Sequence, residues 1–302
     1  MQELSTKPEI KILNEFGLGI EHFVKKGDEK LGLSKEENSK IILQEAFNLG
    51  IRHFDIVYNY PHFYSVFKDF LLDKQDKISF TTHIGQFFDE KTGSSKKTRS
   101  LDKIQESIDY IFNFLDIDTI QVGMIQYITN YDDFERVKNK NILNYVFQLK
   151  KQGKLQSIGI SAHNQKLLLK IIDQIDVDII MFPVNFVTGH LDDTKDLIHE
   201  CKDKKIKIMG IKTLLHGKPF TTKRIKYPKL MSCGYNSEVK LEKPAYPYQC
   251  FNYALNCGVD KIIFGVSNVV ELRSNISNYM VNKEIIDYDA IENQFISGQK
   301  VD

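Results

Sequence analysis

Strand-like and helix-like segments alternate along most of this 302-residue sequence. After Gly50, seven short runs rich in β-branched and apolar residues are each followed by a helical pattern or a loop. This alternation predicts parallel strands joined by helical crossovers, hence an α/β barrel or a doubly wound sheet. For a barrel we expect the eighth strand near 284–288, where the pattern is weak. The seven predicted strands are Ile51–Val57, Ile78–Ile84, Asp116–Ile128, Leu155–His163, Val177–Asn185, Ile206–Lys212 and Lys261–Val266.

The glycine pattern decides between these two architectures. No G-x-G-x-x-G lies between the first strand and the first helix, which argues against a dinucleotide-binding sheet. We therefore predict a (β/α)8 TIM barrel that forms one domain over residues 1–302, since a chain that is 42% hydrophobic can bury one large core. An irregular loop is expected at about 216–246. Such long excursions are usually lids or binding loops, or else they are poorly ordered.

Charge and composition exclude several classes of partner. Lys and Arg number 41 and Asp and Glu 40, which gives a formal net charge of +1 and no electrostatic case for nucleic acid or membrane. The N-terminus lacks an apolar signal core, and no run of about 18 apolar residues occurs, so we expect a cytoplasmic protein. The four cysteines show no C-x-x-C spacing, and no metal site is predicted. The oligomeric state stays open.

The stretch from Gly50 to Tyr60, G-I-R-H-F-D-I-V-Y-N-Y, combines a buried strand pattern with a carboxylate. Asp55 stands near the strand's end, and Tyr60 lies five residues on in a turn, because Pro61 disfavours helical geometry at the residue before it. In a parallel barrel, an acid at a strand end and a phenol on the next loop converge on one pocket. The alternative is that Asp55 caps a helix and Tyr60 is a rim aromatic.

Polar residues also stand at the ends of other predicted strands. His83 lies near the end of the second strand, Gln126 near the end of the third, and Ser161 and His163 at the exit of the fourth. These ends share one face of a parallel barrel, so the residues are candidates for the same pocket. For His83, a core histidine with satisfied hydrogen bonds is an equally good interpretation.

Several spaced motifs together resemble the aldo-keto reductase superfamily. They are G-I-R-H-F-D-I-V-Y-N-Y, G-K-L-Q-S-I-G-I-S-A-H, C-G-V-D-K-I-I-F-G-V-S-N and E-L-R-S-N, and the resemblance extends from about Phe16 to Asn278. It implies an eight-stranded α/β barrel, a nicotinamide cofactor extended across its C-terminal mouth, and hydride transfer between carbonyl and alcohol. G-I-K-T-L-L-H-G is similar to a ferredoxin-like branch of the family, without that branch's iron–sulfur cysteines.

The resemblance implies a catalytic site that departs from the family's tetrad. Asp55 and Tyr60 match the family's acid and its proton-donating tyrosine, whereas His83 stands in place of a lysine and Gln126 in place of a histidine. A tyrosine with a pKa near 10 needs a nearby positive charge to share its proton near neutral pH. His83 supplies that charge only when it is protonated, a form that Asp55 would favour. Gln126 is expected to donate a hydrogen bond to a substrate oxygen.

The resemblance also implies a set of cofactor contacts. Ser161 matches a carboxamide contact, and the segment from Gly265 onwards matches phosphate and adenine contacts. Glu271 stands where NADP-preferring members have an arginine, and a carboxylate there would repel a 2′-phosphate, which slightly favours NAD over NADP. Gly19 permits close approach of the backbone to a ligand. The candidate cofactor-binding residues are Gly19, Ser161, Asn185, Lys212, Gly265, Ser267, Glu271 and Asn275.

Two functions of different class follow. The first is an NAD- or NADP-dependent oxidoreductase that acts on a small carbonyl or sugar-like substrate, with Tyr60 as acid and base, Asp55 and His83 as its tuning pair, and Gln126 orienting the substrate. The second is a catalytically inactive barrel that serves as a ligand-binding or regulatory protein. The replacements at His83 and Gln126, and Ala162 in place of the asparagine that the resemblance implies beside Ser161, favour the second.

Overall fold

A computed structural model describes residues 12–221, 225–227, 237–239, 243–282 and 287. Eight parallel strands form a closed ring, since β1 pairs with both β2 and β8 and every other strand pairs with its two neighbours in chain order. The predicted (β/α)8 barrel is thus confirmed. The ring strands are β1 Phe16–Gly19, β2 His53–Ile56, β3 Ser79–Ile84, β4 Ile120–Ile128, β5 Leu155–Ala162, β6 Ile179–Pro183, β7 Lys207–Ile211 and β8 Lys261–Gly265.

The strand that completes the ring is the first one, so the prediction of an eighth strand near 284–288 was wrong. The four residues of β1, F-G-L-G, are enough to close the ring, because each of them pairs with a residue of β8. Glycine at position 17 allows β1 to lie this close to its neighbours, since a Cβ there would lie 2.5 Å from Ile263 Cδ1 and 2.9 Å from the His53 ring. Apart from Asp287, residues 284–288 lie outside the described part of the chain.

Helices cover the outside of the ring. The first begins with a capping box, in which Ser34 accepts from the backbone N–H of Glu37 and the Glu37 carboxylate accepts from that of Ser34. The described helices are α1 Lys35–Asn48, α2 Pro61–Leu71, α3 Leu101–Leu115, α4 Tyr131–Asn139, α5 Ile142–Lys151, α6 Gln165–Ile172, α7 Asp192–Asp203, α8 Pro247–Cys257 and α9 Val269–Val281. None of them is both long and apolar enough to cross a membrane.

Two segments that connect ring strands and helices contain further structure. Strands Gln86–Asp89 and Ser94–Lys97 pair as an antiparallel hairpin between β3 and α3. In the expected irregular loop at 216–246, a 3-10 segment spans Leu215–Phe220, and Ile225–Tyr227 pairs with Ser237–Val239. Most of the remaining loop, 222–224, 228–236 and 240–242, lies outside the described residues.

The barrel interior holds an apolar cluster and a buried polar residue. The apolar cluster consists of Val122, Met124, Ile179, Met181, Met209 and Ile263. In addition the buried His53 ring lies 2.8 Å from Ser79 Oγ and 2.9 Å from Thr81 Oγ1 on β3, so both of its nitrogens are bonded. Burial, and then the charge of Lys261, lowers the pKa of His53 to about 4. The barrel thus holds this histidine neutral.

We predict that the His53→Gln variant loses less stability in acid than the wild type. The unfolded chain takes up a proton on His53 near pH 6.5, whereas the folded chain does so only near pH 4. Stability attributable to the neutral histidine is therefore complete above pH 6.5 and is lost as the pH falls towards 4, by up to about 3 kcal/mol. Urea unfolding at pH 7 and pH 4 measures the loss. The control is His199→Gln, whose exposed side chain should leave the loss of stability between pH 7 and pH 4 equal to that of the wild type. An equal loss in His53→Gln would show that His53 is not held neutral by the fold.

Candidate active site

A cavity of about 750 Å³ opens at the carboxyl ends of the barrel strands. Its lining includes the last residues of the strands, the Leu215–Phe220 segment and the first turns of α9. Parallel strands deliver their ends to one face, which is where barrels of this type carry their sites. The volume is in the range of small-molecule and cofactor pockets.

Asp55 and His83 form a hydrogen-bonded pair in this lining. His83 Nε2 lies 2.8 Å from Asp55 Oδ1, and the two side chains are 4% and 8% exposed. The pair forms because β2 and β3 are neighbours in register, with Asp55 opposite Thr81, so the histidine two residues further on reaches across. The sequence predicted this contact. The alternative, a core histidine with satisfied hydrogen bonds, holds for Nε2 only, because Nδ1 has no partner among the described residues.

Gln126 also lines the cavity, at the end of β4. The backbone there is irregular: the pairing of β4 with β5 shifts between Ile125 and Ile128, and Tyr127 has a φ of 31°. Arg99 Nη2 donates to the carbonyl oxygens of Gln126 and Tyr127, at 2.6 and 3.2 Å. These bonds hold the unusual backbone that directs the Gln126 side chain.

An ionic network fixes Arg99 in turn. Asp133 accepts from Arg99 Nε at 2.9 Å, from Lys97 Nζ at 2.7 Å and from the Thr129 backbone at 3.1 Å. Burial raises the pKa of Asp133, but the hydrogen bonds from Arg99 and Lys97 outweigh burial, and the pKa lies far below its ordinary value. The Asp133 carboxylate is therefore negatively charged in the folded protein at neutral pH. Sequence reasoning missed this network, because its members are distant in the chain.

Tyr60 occupies a different position from the one expected. Its ring packs against Tyr58, His62 and Phe88, with centroids 5.9, 5.3 and 6.1 Å away, and it is not among the described residues that line the cavity. Tyr58, two residues earlier, does line it and donates to Glu21 Oε1 at 3.0 Å. The motif spacing alone pointed to Tyr60, whose role as proton donor stays a prediction.

Seven of the eight predicted cofactor residues line the cavity: Gly19, Ser161, Lys212, Gly265, Ser267, Glu271 and Asn275. Asn185 does not. It is buried beneath the rim, where its side chain donates to the Lys212 carbonyl at 3.2 Å and accepts from the Val187 backbone. Since Lys212 has a φ of 55°, Asn185 supports an unusual turn rather than contacting the cavity.

The N-terminus of α9 forms one end of the cavity. Asn268 caps the helix by accepting from the Glu271 backbone at 2.9 Å. The Glu271 carboxylate accepts from the Ser267 backbone N–H at 2.6 Å. Helix N-termini attract anions through their free N–H groups, and here the Glu271 carboxylate is bound by the residue just before the cap rather than by one of those groups.

Buried polar atoms without partners gather around the cavity. Among the described residues, such atoms on cavity-lining side chains are His83 Nδ1, Gln126 Oε1, His163 Nδ1 and Thr213 Oγ1. Native proteins leave few buried polar atoms unbonded, and water or a ligand commonly supplies the missing partner. Burial, and then the charge of Lys212, lowers the pKa of His163 to about 3, so this ring is neutral near neutral pH. These four atoms are candidates for hydrogen bonds with water or with a polar ligand.

The fold and the position of the cavity define a barrel protein with a ligand site at its C-terminal mouth. The sequence model of the Aldo/keto reductase family matches residues 15–293, and the chain belongs to that family. Family members generally use NAD(P)H on small carbonyl substrates. A search of curated proteins finds no match. In the described part of the chain, no group of three or more His, Cys, Asp or Glu residues is arranged to hold a metal ion.

Solved structures similar to this one are aldo-keto reductases with low sequence identity. The holo form of an aldo-keto reductase from Bacillus halodurans has a TM-score of 0.68 and 16% identity, over 95% of this chain and 94% of that chain. A glycerol dehydrogenase from Gluconobacter oxydans has a TM-score of 0.64 and 14% identity, over 97% of each chain. An aldo/keto reductase from Brucella melitensis has a TM-score of 0.60 and 17% identity, over 93% and 94%. At these identities, the likeness shows the fold.

We predict that Asp133→Asn lowers the free energy of unfolding by about 3 kcal/mol, because it leaves the Arg99 guanidinium, 9% exposed, without its counter-charge. Urea denaturation measures the change. The matched control is Asp193→Asn, which breaks an ion pair with Lys166 whose side chains are 41% and 72% exposed, and it should cost less than about 1 kcal/mol. Equal losses in the two variants would show that the network does not stabilise the barrel mouth.

Proposed function

We propose that the protein is a nicotinamide-dependent oxidoreductase that interconverts a small carbonyl or sugar-like compound and its alcohol. The observation that carries this proposal is the Asp55–His83 pair in the lining of a cavity of about 750 Å³, in a chain of the aldo/keto reductase family. The pair is the proposed acid–base group, and Gln126, which lines the same cavity from the neighbouring strand β4, is suited to orient a substrate oxygen.

The cavity residues fit an extended dinucleotide. Strand ends bearing Ser161 and Gly265 line one part of the cavity, and the N-terminus of α9 with Asn275 lines another. Helix N–H groups and the Lys212 ammonium suit the phosphates, and Ser161 suits the carboxamide. The unpartnered Thr213 hydroxyl offers a further polar contact. When bound, the nicotinamide donates or accepts the hydride.

The charges of the cavity favour NAD over NADP. Three carboxylates, those of Glu21, Asp55 and Glu271, line it. Among the described lining residues, Lys212 is the only lysine, and there is no arginine. A 2′-phosphate would add negative charge beside Glu271, whereas a ribose hydroxyl can donate a hydrogen bond to a carboxylate.

One similar structure suggests substrates to test. The Gluconobacter oxydans protein is a glycerol dehydrogenase. Glycerol and propane-1,2-diol with NAD, together with their carbonyl counterparts and NADH, therefore form the first panel for the present protein.

A second candidate function is an inactive, ligand-binding barrel. It is favoured by the position of Tyr60, which packs on Phe88 and is not among the described residues of the cavity lining. The two functions differ in turnover rather than in binding. Coenzyme binding without turnover of the panel would favour the inactive barrel.

We predict that the protein binds NADH at least about tenfold more tightly than NADPH, a difference of roughly 1.4 kcal/mol that like-charge repulsion at Glu271 can supply. Titration followed by nicotinamide fluorescence measures both affinities, and the sequence contains no tryptophan to interfere. The Glu271→Gln variant should narrow the ratio by improving NADPH binding.

The control for this titration is Glu200→Gln, which changes a carboxylate on α7 that pairs with Lys204 and is absent from the described cavity lining. It should leave both affinities unchanged. Absence of NADH and NADPH binding at near-millimolar concentrations would refute the proposed function. Binding with equal affinities would refute only the coenzyme preference.

A further inference from the structure

Asn38 is a polar residue buried near the start of α1, outside the described cavity lining. It is 1% exposed. The N-terminus of α1 is already closed by the capping box of Ser34 and Glu37, so the helix does not use the Asn38 side chain as a cap. Asparagine is a poor helix former, and a buried amide costs free energy unless it is hydrogen-bonded. The reason for an amide at this position therefore lies outside α1.

The Asn38 amide joins two segments that follow ring strands. Nδ2 donates to the Ser267 carbonyl oxygen at 3.0 Å and, more weakly, to the Lys26 carbonyl oxygen at 3.4 Å. Because carbonyl oxygens only accept hydrogen bonds, the nitrogen of the amide must face them, and its two protons serve the two carbonyls. Lys26 lies between β1 and α1, and Ser267 lies between β8 and α9. One side chain thus holds the two segments together.

The segment between β1 and α1 folds back so that the Lys26 carbonyl reaches α1. Asp28 and Leu33 exchange backbone hydrogen bonds, with N···O distances of 3.1 and 2.9 Å. Glycine is required beside this bridge, since a Cβ on Gly27 would overlap the Leu33 carbonyl oxygen. Glu21, earlier in the same segment, lines the cavity. The segment therefore borders the cavity near its start and is tied to Asn38 further on.

The backbone of Ser267 is held at both of its polar groups. Its carbonyl accepts from Asn38, and its N–H donates to the Glu271 carboxylate at 2.6 Å. The next residue, Asn268, caps α9 by accepting from the Glu271 backbone N–H at 2.9 Å. Ser267, Glu271 and Asn275 all line the cavity. Asn38 thus ties to α1 a turn that forms the α9 end of the cavity.

We propose that Asn38 is a positioning residue for the coenzyme. By holding the Ser267 carbonyl, it fixes the turn at the α9 end of the cavity and sets the affinity for the adenosine diphosphate half of the dinucleotide. The inference rests on the proposed oxidoreductase function. Asn38 acts through Ser267, and support of this kind from outside the lining keeps a binding site in one geometry. The Asp55–His83 pair lies on other strands and should be unaffected.

A second contact between α1 and α9 separates positioning from general packing of the helices. The Glu45 carboxylate accepts from Arg273 Nε at 2.7 Å, and the two side chains are 18% and 60% exposed. Neither residue is among the described residues of the cavity lining. Glu45→Gln should therefore weaken the packing of α1 on α9 without releasing the carbonyl of Ser267.

The test variant is Asn38→Asp, which removes both hydrogen bonds at nearly constant size, because a carboxylate has no proton to donate and repels the two carbonyl oxygens. We expect the Kd values of NADH and of ADP-ribose, which lacks the nicotinamide, to rise by the same factor of about fivefold or more. With saturating NAD, kcat and KM for glycerol or propane-1,2-diol should change by less than about twofold. Asn38→Leu loses the same bonds without adding charge and should give the same result.

Two controls accompany this variant. Ser39→Ala changes the next residue of α1, which is 0% exposed and whose hydroxyl has no partner among the described residues. Glu45→Gln breaks the ion pair with Arg273. Both should bind NADH and ADP-ribose with the Kd values of the wild type. A rise in Glu45→Gln that equals the rise in Asn38→Asp would show that helix packing sets the affinity, and the inference would fail.

Amide hydrogen exchange of the protein without coenzyme tests the positioning step itself. Once its carbonyl is released, the Ser267 turn should open more often, and the Ser267 N–H should exchange about tenfold faster in Asn38→Asp than in the wild type. In Ser39→Ala its exchange should match the wild type. An unchanged exchange rate in Asn38→Asp would overturn the positioning role.

The binding results distinguish this inference from the function on which it rests. If NADH binds the wild type and Asn38→Asp equally well, the inference fails and the oxidoreductase stands. If the wild type binds neither NADH nor NADPH, the proposed function fails and the inference fails with it. If NADH binds the wild type but ADP-ribose does not, or if only the NADH affinity falls in Asn38→Asp, the turn does not hold the adenosine diphosphate half and the inference is wrong.

Discussion

The pairing of β1 with β8 is the contact on which the rest of the structure depends. It joins Phe16–Gly19 to Lys261–Gly265 over four residue pairs and so closes a ring that would otherwise be an open sheet with two exposed edges. Closure also brings the ends of all eight strands to one mouth. The glycine at position 17 permits this contact, because a side chain there would overlap Ile263 and His53. The ligand cavity is thus a direct result of ring closure.

At the mouth, the chain holds polar groups in place with contacts that are buried and distant in sequence. Arg99 and Asp133 fix the backbone of Gln126, and Asn185 supports the turn at Lys212. Asp55 orients His83. In the first two cases a residue outside the lining directs one that lines the cavity, and in the third both partners line it. Such support is what keeps a site in one geometry.

Much of the barrel could be predicted from the sequence, because alternation of strand and helix patterns reports the fold directly. The seven strands after Gly50 are all present. The strand-like piece with Gly17 and Gly19 was not counted in the ring, because the count began after Gly50, and it is this piece that forms β1. The Asp55–His83 contact was predictable from strand ends. The positions of Tyr58 and Tyr60 were not, since loop conformation depends on packing with the 86–97 hairpin, through Phe88.

In the proposed oxidoreductase, the Asp55–His83 pair lies where a coenzyme and a substrate react. A crystal structure of the protein with NADH bound tests it most directly. We expect the nicotinamide ring deep in the barrel mouth next to Ser161, with its C4 atom on the side of the Asp55–His83 pair and a substrate carbonyl carbon at a reacting distance of roughly 3–3.5 Å from C4. A nicotinamide directed to solvent, or bound beside Tyr60 and away from His83, would contradict the account.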